Sequence, residues 1–134
     1  MKVTPTSIEG VVLIEPAVYR DDRGHFQELW QRNRYIEAGL GLEYVQDNLS
    51  HSQQGTLRGL HYQIGNPQGK LIQVLSGTIF DVAVDLRSHS PTFGKWFGVE
   101  LSADDPHQIY IAPGMAHGFL VLSESANVLY KCTD

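Results

Sequence analysis

The sequence predicts an all-β chain folded as an antiparallel jelly roll with one or two short helices. Three observations carry this. Short apolar runs separated by glycine, proline and aspartate turns recur along all 134 residues, at the spacing of a sandwich or barrel. Alternation with period two is clear from Ile79 to Arg87, where Phe80, Val82, Val84 and Leu86 share one face and Asp81, Ala83, Asp85 and Arg87 the other. Only Gln31 to Ala38 has good helical character.

In chain order, Val11-Val12-Leu13-Ile14-Glu15 is the first predicted strand, closed by Pro16. Arg20-Asp21-Asp22-Arg23-Gly24 reads as a polar turn, and His25 to Trp30 alternates imperfectly. The helix over Gln31 to Ala38 is ended by Gly39, the residue type that accepts the left-handed conformation after a helix. Tyr44 to Ser50 returns to strand character. Gly69 to Leu75 is a strand that ends at a Ser76-Gly77 turn, and Ile79 to Arg87 follows. Trp96 to Leu101, Gln108 to Ala112, Gly118 to Leu122 and Asn127 to Cys132 are the last four. No linker, repeat or low-complexity segment interrupts residues 1–134, which read as one domain.

The bulk numbers exclude several classes of function. An apolar fraction of 42% and a charged fraction of 19% are those of a soluble globular protein. The formal net charge of −5 argues against nucleic acid, because phosphate backbones are met with excess Lys and Arg. No apolar run is long enough to span a bilayer, and Met1-Lys2-Val3-Thr4-Pro5 has no leader-like apolar stretch. Cys132 is the only cysteine, which fits a reducing, cytoplasmic compartment.

The chemistry concentrates in Arg58-Gly59-Leu60-His61-Tyr62-Gln63, with Lys70 opening the next strand. Two cations flanking a histidine suit an anionic substrate that must lose a proton. Each residue alone has an ordinary alternative. His61 could be a buried structural histidine, Lys70 a solvated cation at a strand end, and Tyr130 strand filler of high β-propensity.

These residues belong to a larger set of blocks. Asp22-Arg23-Gly24, Gln46-Asp47-Asn48, Arg58 to Gln63, Phe80 to Asp85, Ser90-Pro91-Thr92-Phe93-Gly94, Pro113 to Phe119 and Leu129-Tyr130-Lys131 come in that order. Together they closely resemble the dTDP-4-dehydrorhamnose 3,5-epimerase family, a cupin-type group, over nearly the whole chain. The resemblance implies epimerisation at C3 and C5 of dTDP-4-dehydro-6-deoxy-D-glucose in dTDP-L-rhamnose synthesis. In such a reaction His61 suits the base, because an imidazole is the side chain ordinarily able to take and give a proton near working pH. Lys70 suits the enolate oxygen, and Tyr130 suits the acid on the opposite face; the resemblance assigns the same roles. Arg23 and Arg58 offer forks to a diphosphate. Gln46 and Asn48 offer amides to the base or sugar, Asp47 lies between them, and Glu28 can accept from a hydroxyl or ring N–H. Phe26 offers a stacking surface, and His117 resembles a substrate-binding position. A homodimer with exchanged N-terminal strands is also implied, and Val11 to Ile14 would otherwise form an edge strand prone to aggregation.

Family members usually continue past the Tyr-Lys block with further elements, including an aspartate paired with the catalytic histidine. The sequence here stops at Asp134, so the expectation is that this segment is missing and that proton exchange is slow. Asp81 or Asp85 could stand in as the carboxylate, although a structural hydrogen bond to backbone or to Arg87 is the simpler role. Cofactors are expected to be absent. The metal-binding cupin pattern has a second histidine where Gln63 stands and a glutamate where Lys70 stands, with six residues between it and Gly77, and a cation there repels a divalent ion. Other readings are an epimerase acting at one carbon of another dTDP-ketosugar, a dTDP-sugar-binding module without turnover, and a metal-dependent oxygenase.

Overall fold

The structure is a computed structural model that describes residues 1–41 and 43–134. Its twelve strands and one helix run in the order β1 (Lys2–Pro5), β2 (Val11–Glu15), β3 (Val18–Asp21), β4 (Gly24–Gln27), α1 (Arg32–Glu37), β5 (Gln46–Gln53), β6 (Leu57–His61), β7 (Lys70–Ser76), β8 (Thr78–Asp85), β9 (Trp96–Ser102), β10 (Gln108–Ile111), β11 (Met115–Val121) and β12 (Ser125–Cys132). A six-stranded sheet has the order β1-β2-β10-β7-β12-β5, and a four-stranded sheet has the order β6-β11-β8-β9. Every pairing is antiparallel. The chain crosses repeatedly between the two sheets, as a jelly roll does.

The two sheets close over one apolar core. Val11, Ile72, Val74, Ile109, Ile111, Ala126 and Val128 from the large sheet meet Ile79, Ala83, Leu101, Phe119 and Val121 from the small one. A second cluster lies on the outer face of the large sheet, where Tyr35 and Leu40 cover Ile14, Leu71 and Tyr110. Tyr35 fixes that layer with a hydrogen bond from its hydroxyl to Gln108 Oε1, and Gln108 Nε2 donates to Gln73 Oε1 at 2.8 Å. Burial raises the Tyr35 phenol to about 12, so it stays a neutral donor at working pH. Helix α1 is capped by Gln31, whose side chain accepts from the Arg34 amide, and Gly39 follows with φ +80°.

The structure departs from the sequence reading in some places and completes it in others. Strands β1 and β3 were unforeseen; both are short, and Pro5 and the charges of Arg20 and Asp21 mask their strand character. The Val11 to Ile14 run is no edge strand: β2 lies between β1 and β10, with Val11 and Ile14 fully buried. The alternation of β8 left open which face is inside, and the structure decides it. Asp81, Ala83 and Asp85 point into the core, while Phe80, Val82 and Val84 are only partly covered. Around Phe80 and Val82, Leu57, Leu60 and Leu120 line an apolar groove on the outer face of the small sheet.

Candidate active site

Residue spacing alone would place Arg58 and His61 on opposite faces of a strand, because faces alternate with period two. The structure brings them to one face with a bulge. His61 sits opposite His117, and Arg58 sits opposite Phe119, so three steps on β6 match two on β11. Gly59 makes this possible. It has φ +95°, and a Cβ there would lie 2.5 Å from the His117 carbonyl oxygen. No side chain fits so close an approach.

Across the barrel the large sheet supplies the other groups. Lys70 opens β7 and pairs in register with Cys132, and Tyr130 on β12 pairs with Asn48 on β5. Asn48, His61, Tyr62, Gln63, Gln68, Lys70, Met115, Tyr130 and Cys132 line one open cavity of about 170 Å³. The three predicted acid–base residues, which span 69 positions of sequence from His61 to Tyr130, therefore meet in one place. Burial lowers the pKa of Lys70, partly opposed by the nearby Cys132 sulfur and Asp81 carboxyl. Burial likewise pushes the Cys132 thiol up, so it stays protonated as a weak acceptor for the Asn48 amide at 3.6 Å.

His117 lies beside this cavity, buried, with Nε2 2.8 Å from Asp81 Oδ2. Sequence reasoning considered Asp81 as a partner for a histidine but chose His61; the contact is to His117. Asp85 takes the structural role, accepting from Arg87, Ser90 and Thr92. Arg58 donates from Nε to Ser52 Oγ at 2.8 Å, across from one sheet to the other. Ser52 was not foreseen; a serine buried on an inward strand face was the signal available for it.

The remaining predicted residues are elsewhere. Arg23 lies in the exposed β3–β4 hairpin and pairs with Asp21 at 2.6 Å. Phe26 is exposed on the same hairpin, against Tyr19. Glu28 is held by Arg34, which keeps its carboxyl below the usual range. Asp47 points outward and accepts from Lys131 at 2.9 Å, and Lys131 also lies over the Trp30 ring. Gln46 is exposed at the start of β5 and donates to Asn48. Among the described residues no three His, Cys, Asp or Glu side chains converge as metal ligands, and none of the helices is long and apolar enough to cross a membrane.

Comparison with known proteins points one way. Residues 5–134 match the family model described as dTDP-4-dehydrorhamnose 3,5-epimerase. A dTDP-4-dehydrorhamnose 3,5-epimerase of Pseudomonas aeruginosa is 54% identical over 135 residues, covering 100% of this chain and 75% of that protein. One from Methanothermobacter thermautotrophicus is 52% identical over 129 residues, covering 96% and 70%. Among solved structures, a dTDP-6-deoxy-D-glucose-3,5-epimerase of Legionella pneumophila, crystallised with dTDP-4-keto-L-rhamnose, superposes with a TM-score of 0.96 at 53% identity, covering 99% of this chain and 71% of that one. The Bacillus anthracis dTDP-4-dehydrorhamnose 3,5-epimerase, with TDP and PPi bound, also gives 0.96, at 44% identity, covering 99% and 77%.

Proposed function

This chain belongs to the dTDP-4-dehydrorhamnose 3,5-epimerase family, and from that premise we propose that it epimerises C3 and C5 of dTDP-4-dehydro-6-deoxy-D-glucose to give dTDP-4-dehydro-L-rhamnose. The observation that carries the residue roles is that His61 enters the cavity from the small sheet while Lys70 and Tyr130 enter from the large one. A sugar ring held between the sheets has the base on one face and the acid on the other. C3 and C5 both flank the C4 ketone, so one geometry serves both. His61 takes the proton, the C–H electron pair moves onto the C4 oxygen as an enolate, and the Lys70 ammonium stabilises that oxygen. Tyr130 returns a proton from the opposite face and the carbon inverts; solvent then resets both groups.

The cavity of about 170 Å³ is smaller than the ~300–1,000 Å³ of a pocket for a drug-sized ligand. It suits the reacting ring, leaving the nucleotide outside. We assign the diphosphate to Arg58 and Arg23, contacts to base and sugar to Gln46, Asp47, Asn48 and Glu28, and a further contact to His117. No metal enters this scheme, since Lys70 already supplies the positive charge.

The partner we infer is a second copy. The apolar groove around Phe80 and Leu120, with Leu57 and Leu60 exposed, is the kind of patch that marks an interface. β1 ends the large sheet with one side unpaired among the described residues, so N-terminal strands can exchange between copies. Light scattering should give the mass of a dimer at micromolar concentration; a stable monomer counts against it. We place the enzyme in the cytoplasm, consistent with its single buried thiol.

Deuterium uptake from D2O into the substrate, followed by NMR at C3 and C5, tests the roles. His61→Asn should slow uptake about 10²–10⁴-fold. Tyr130→Phe should keep uptake but lose inversion, because the base can still return a proton on its own face. Unchanged uptake in His61→Asn removes the base assignment.

A further inference from the structure

Ser52 is 4% exposed and is the only buried residue of β5. Its Oγ accepts a hydrogen bond from Arg58 Nε at 2.8 Å. The two residues stand on edge strands of different sheets, β5 at the end of the large one and β6 at the end of the small one. The bond therefore spans the corner where the chain passes between the sheets. Backbone hydrogen bonds already close that corner. The amides of Gln54, Gly55 and Thr56 donate to the carbonyls of Glu124, Val121 and Gln53, and the Val121 amide donates to that of Thr56. What the side-chain bond adds is a fixed direction for Arg58.

We propose that Ser52 is a positioning residue for substrate binding, which anchors Arg58 through Nε and aims the two Nη groups at the substrate's diphosphate. This rests on the assignment of the diphosphate to Arg58. The chemistry of the anchor favours it. Arg23, Arg32, Arg34 and Arg87 each lie against a carboxylate. A carboxylate fixes a guanidinium but offsets much of its attraction for a second anion. Ser52 fixes Arg58 with a neutral acceptor, so the full charge stays available. Among the described residues the Nη groups of Arg58 make no hydrogen bond. With Nε held, they present the parallel N–H bonds that grip a phosphate in two places. Arg58 is an exposed residue, and a long exposed side chain must otherwise be ordered when the ligand arrives, at a cost to affinity. The anchor also sets where the cation stands. Asn48 lines the cavity, and Ser52 follows four residues later on the same face of β5, roughly 13 Å along the strand. Arg58 is therefore held outside the space that suits the sugar ring.

The test is calorimetric titration with dTDP of Ser52→Ala, Arg58→Lys and the double variant. Ser52→Ala should weaken dTDP binding about three- to tenfold. In Arg58→Lys, which lacks the Nε donor, adding Ser52→Ala should change affinity by less than about twofold. A loss that repeats in both backgrounds is a general structural effect and overturns the proposal. So does a folded Ser52→Ala that binds dTDP as the wild type does. Ser52→Thr keeps the hydroxyl and should restore affinity; a threonine variant as weak as the alanine one removes the role of the hydroxyl. With the dTDP-sugar, Ser52→Ala should raise KM more than it lowers kcat, because the diphosphate is held alike in the ground and transition states; a fall in kcat alone counts against the proposal. If Ser52→Ala does not fold, Ser52→Cys, with a weak sulfur acceptor, serves for the same cycle. The two readings fail distinguishably. Unchanged affinity in Arg58→Lys removes the diphosphate assignment and the role of Ser52 with it. Weakened binding in Arg58→Lys beside wild-type binding in Ser52→Ala removes the role of Ser52 alone.

Discussion

Asp81 and Asp85 lie four residues apart on one face of one strand, and both have no exposed surface. Asp85 is closed. Five donors converge on its two oxygens, and the Ser90 and Thr92 hydroxyls among them anchor the turn that returns the chain to β9. Asp81 is open, with one partner for Oδ2 and, among the described residues, none for Oδ1. The difference teaches that two equally buried carboxylates on one strand can differ fully in how far their hydrogen-bonding capacity is met. Evolutionary tuning for stability alone would give Asp81 more donors or replace it with an apolar residue.

The largest effect that could break this contrast is on stability. Asp85→Asn places an amide against the Arg87 guanidinium and leaves that cation without its counter-charge. It should cost about 3–5 kcal/mol, a fall in Tm of roughly 10 °C or more. Asp81→Asn should cost no more than about 1 kcal/mol, because it removes a charge that few donors require. The acid limb sharpens the comparison. The Arg87 guanidinium and the two hydroxyls hold the Asp85 carboxyl far below its ordinary 3.8. A depressed folded value means that its stabilisation is fully present above the unfolded value and is lost as pH falls toward the folded one. The wild type should therefore lose stability progressively below about pH 4, and Asp85→Asn should show a flatter acid limb. Chemical denaturation of both variants across pH measures this. Equal losses in the two variants would erase the distinction.

The same strand shows what was legible in the sequence. Alternation from Ile79 to Arg87 partitions the residues into two faces correctly, because the pleat enforces period two. It does not say which face is inside. The apolar set of Phe80, Val82 and Val84 lies outward, and the set with two aspartates lies inward. The partners that make such burial affordable are Arg87, Ser90 and Thr92 in the next turn and His117 on another strand, and no window of local sequence contains all of them. The gathering of His61, Lys70 and Tyr130 could be anticipated from the order of the motif blocks. The bulge that turns Arg58 to the same face as His61 could not, since only Gly59 hints at it and a glycine in a strand has several uses. The β3 half of the hairpin was hidden because Arg20 and Asp21 put charge on both of its faces, and the hairpin buries little.

The smallest expected effect separates the two arginines that accompany these aspartates. Arg87 spends its Nε and Nη2 on Asp85 and reaches the Glu9 carbonyl as well. Arg58 spends only Nε, on Ser52, among the described residues, so the rest of its fork remains for a ligand. Replacing either with lysine keeps the charge and removes the planar fork, which a point charge cannot imitate. At Arg87 that loss falls on a contact made within the folded protein, so Arg87→Lys should lower stability by about 1–2 kcal/mol and leave dTDP affinity unchanged. At Arg58 the lost donors are those we assign to the diphosphate. Arg58→Lys should weaken dTDP binding about tenfold, roughly 1.4 kcal/mol, while moving stability by less than about 0.5 kcal/mol. Calorimetric titration with dTDP and thermal unfolding of the same two variants read both quantities. Unchanged affinity in Arg58→Lys would move the diphosphate away from β6, toward Arg23 on the projecting hairpin.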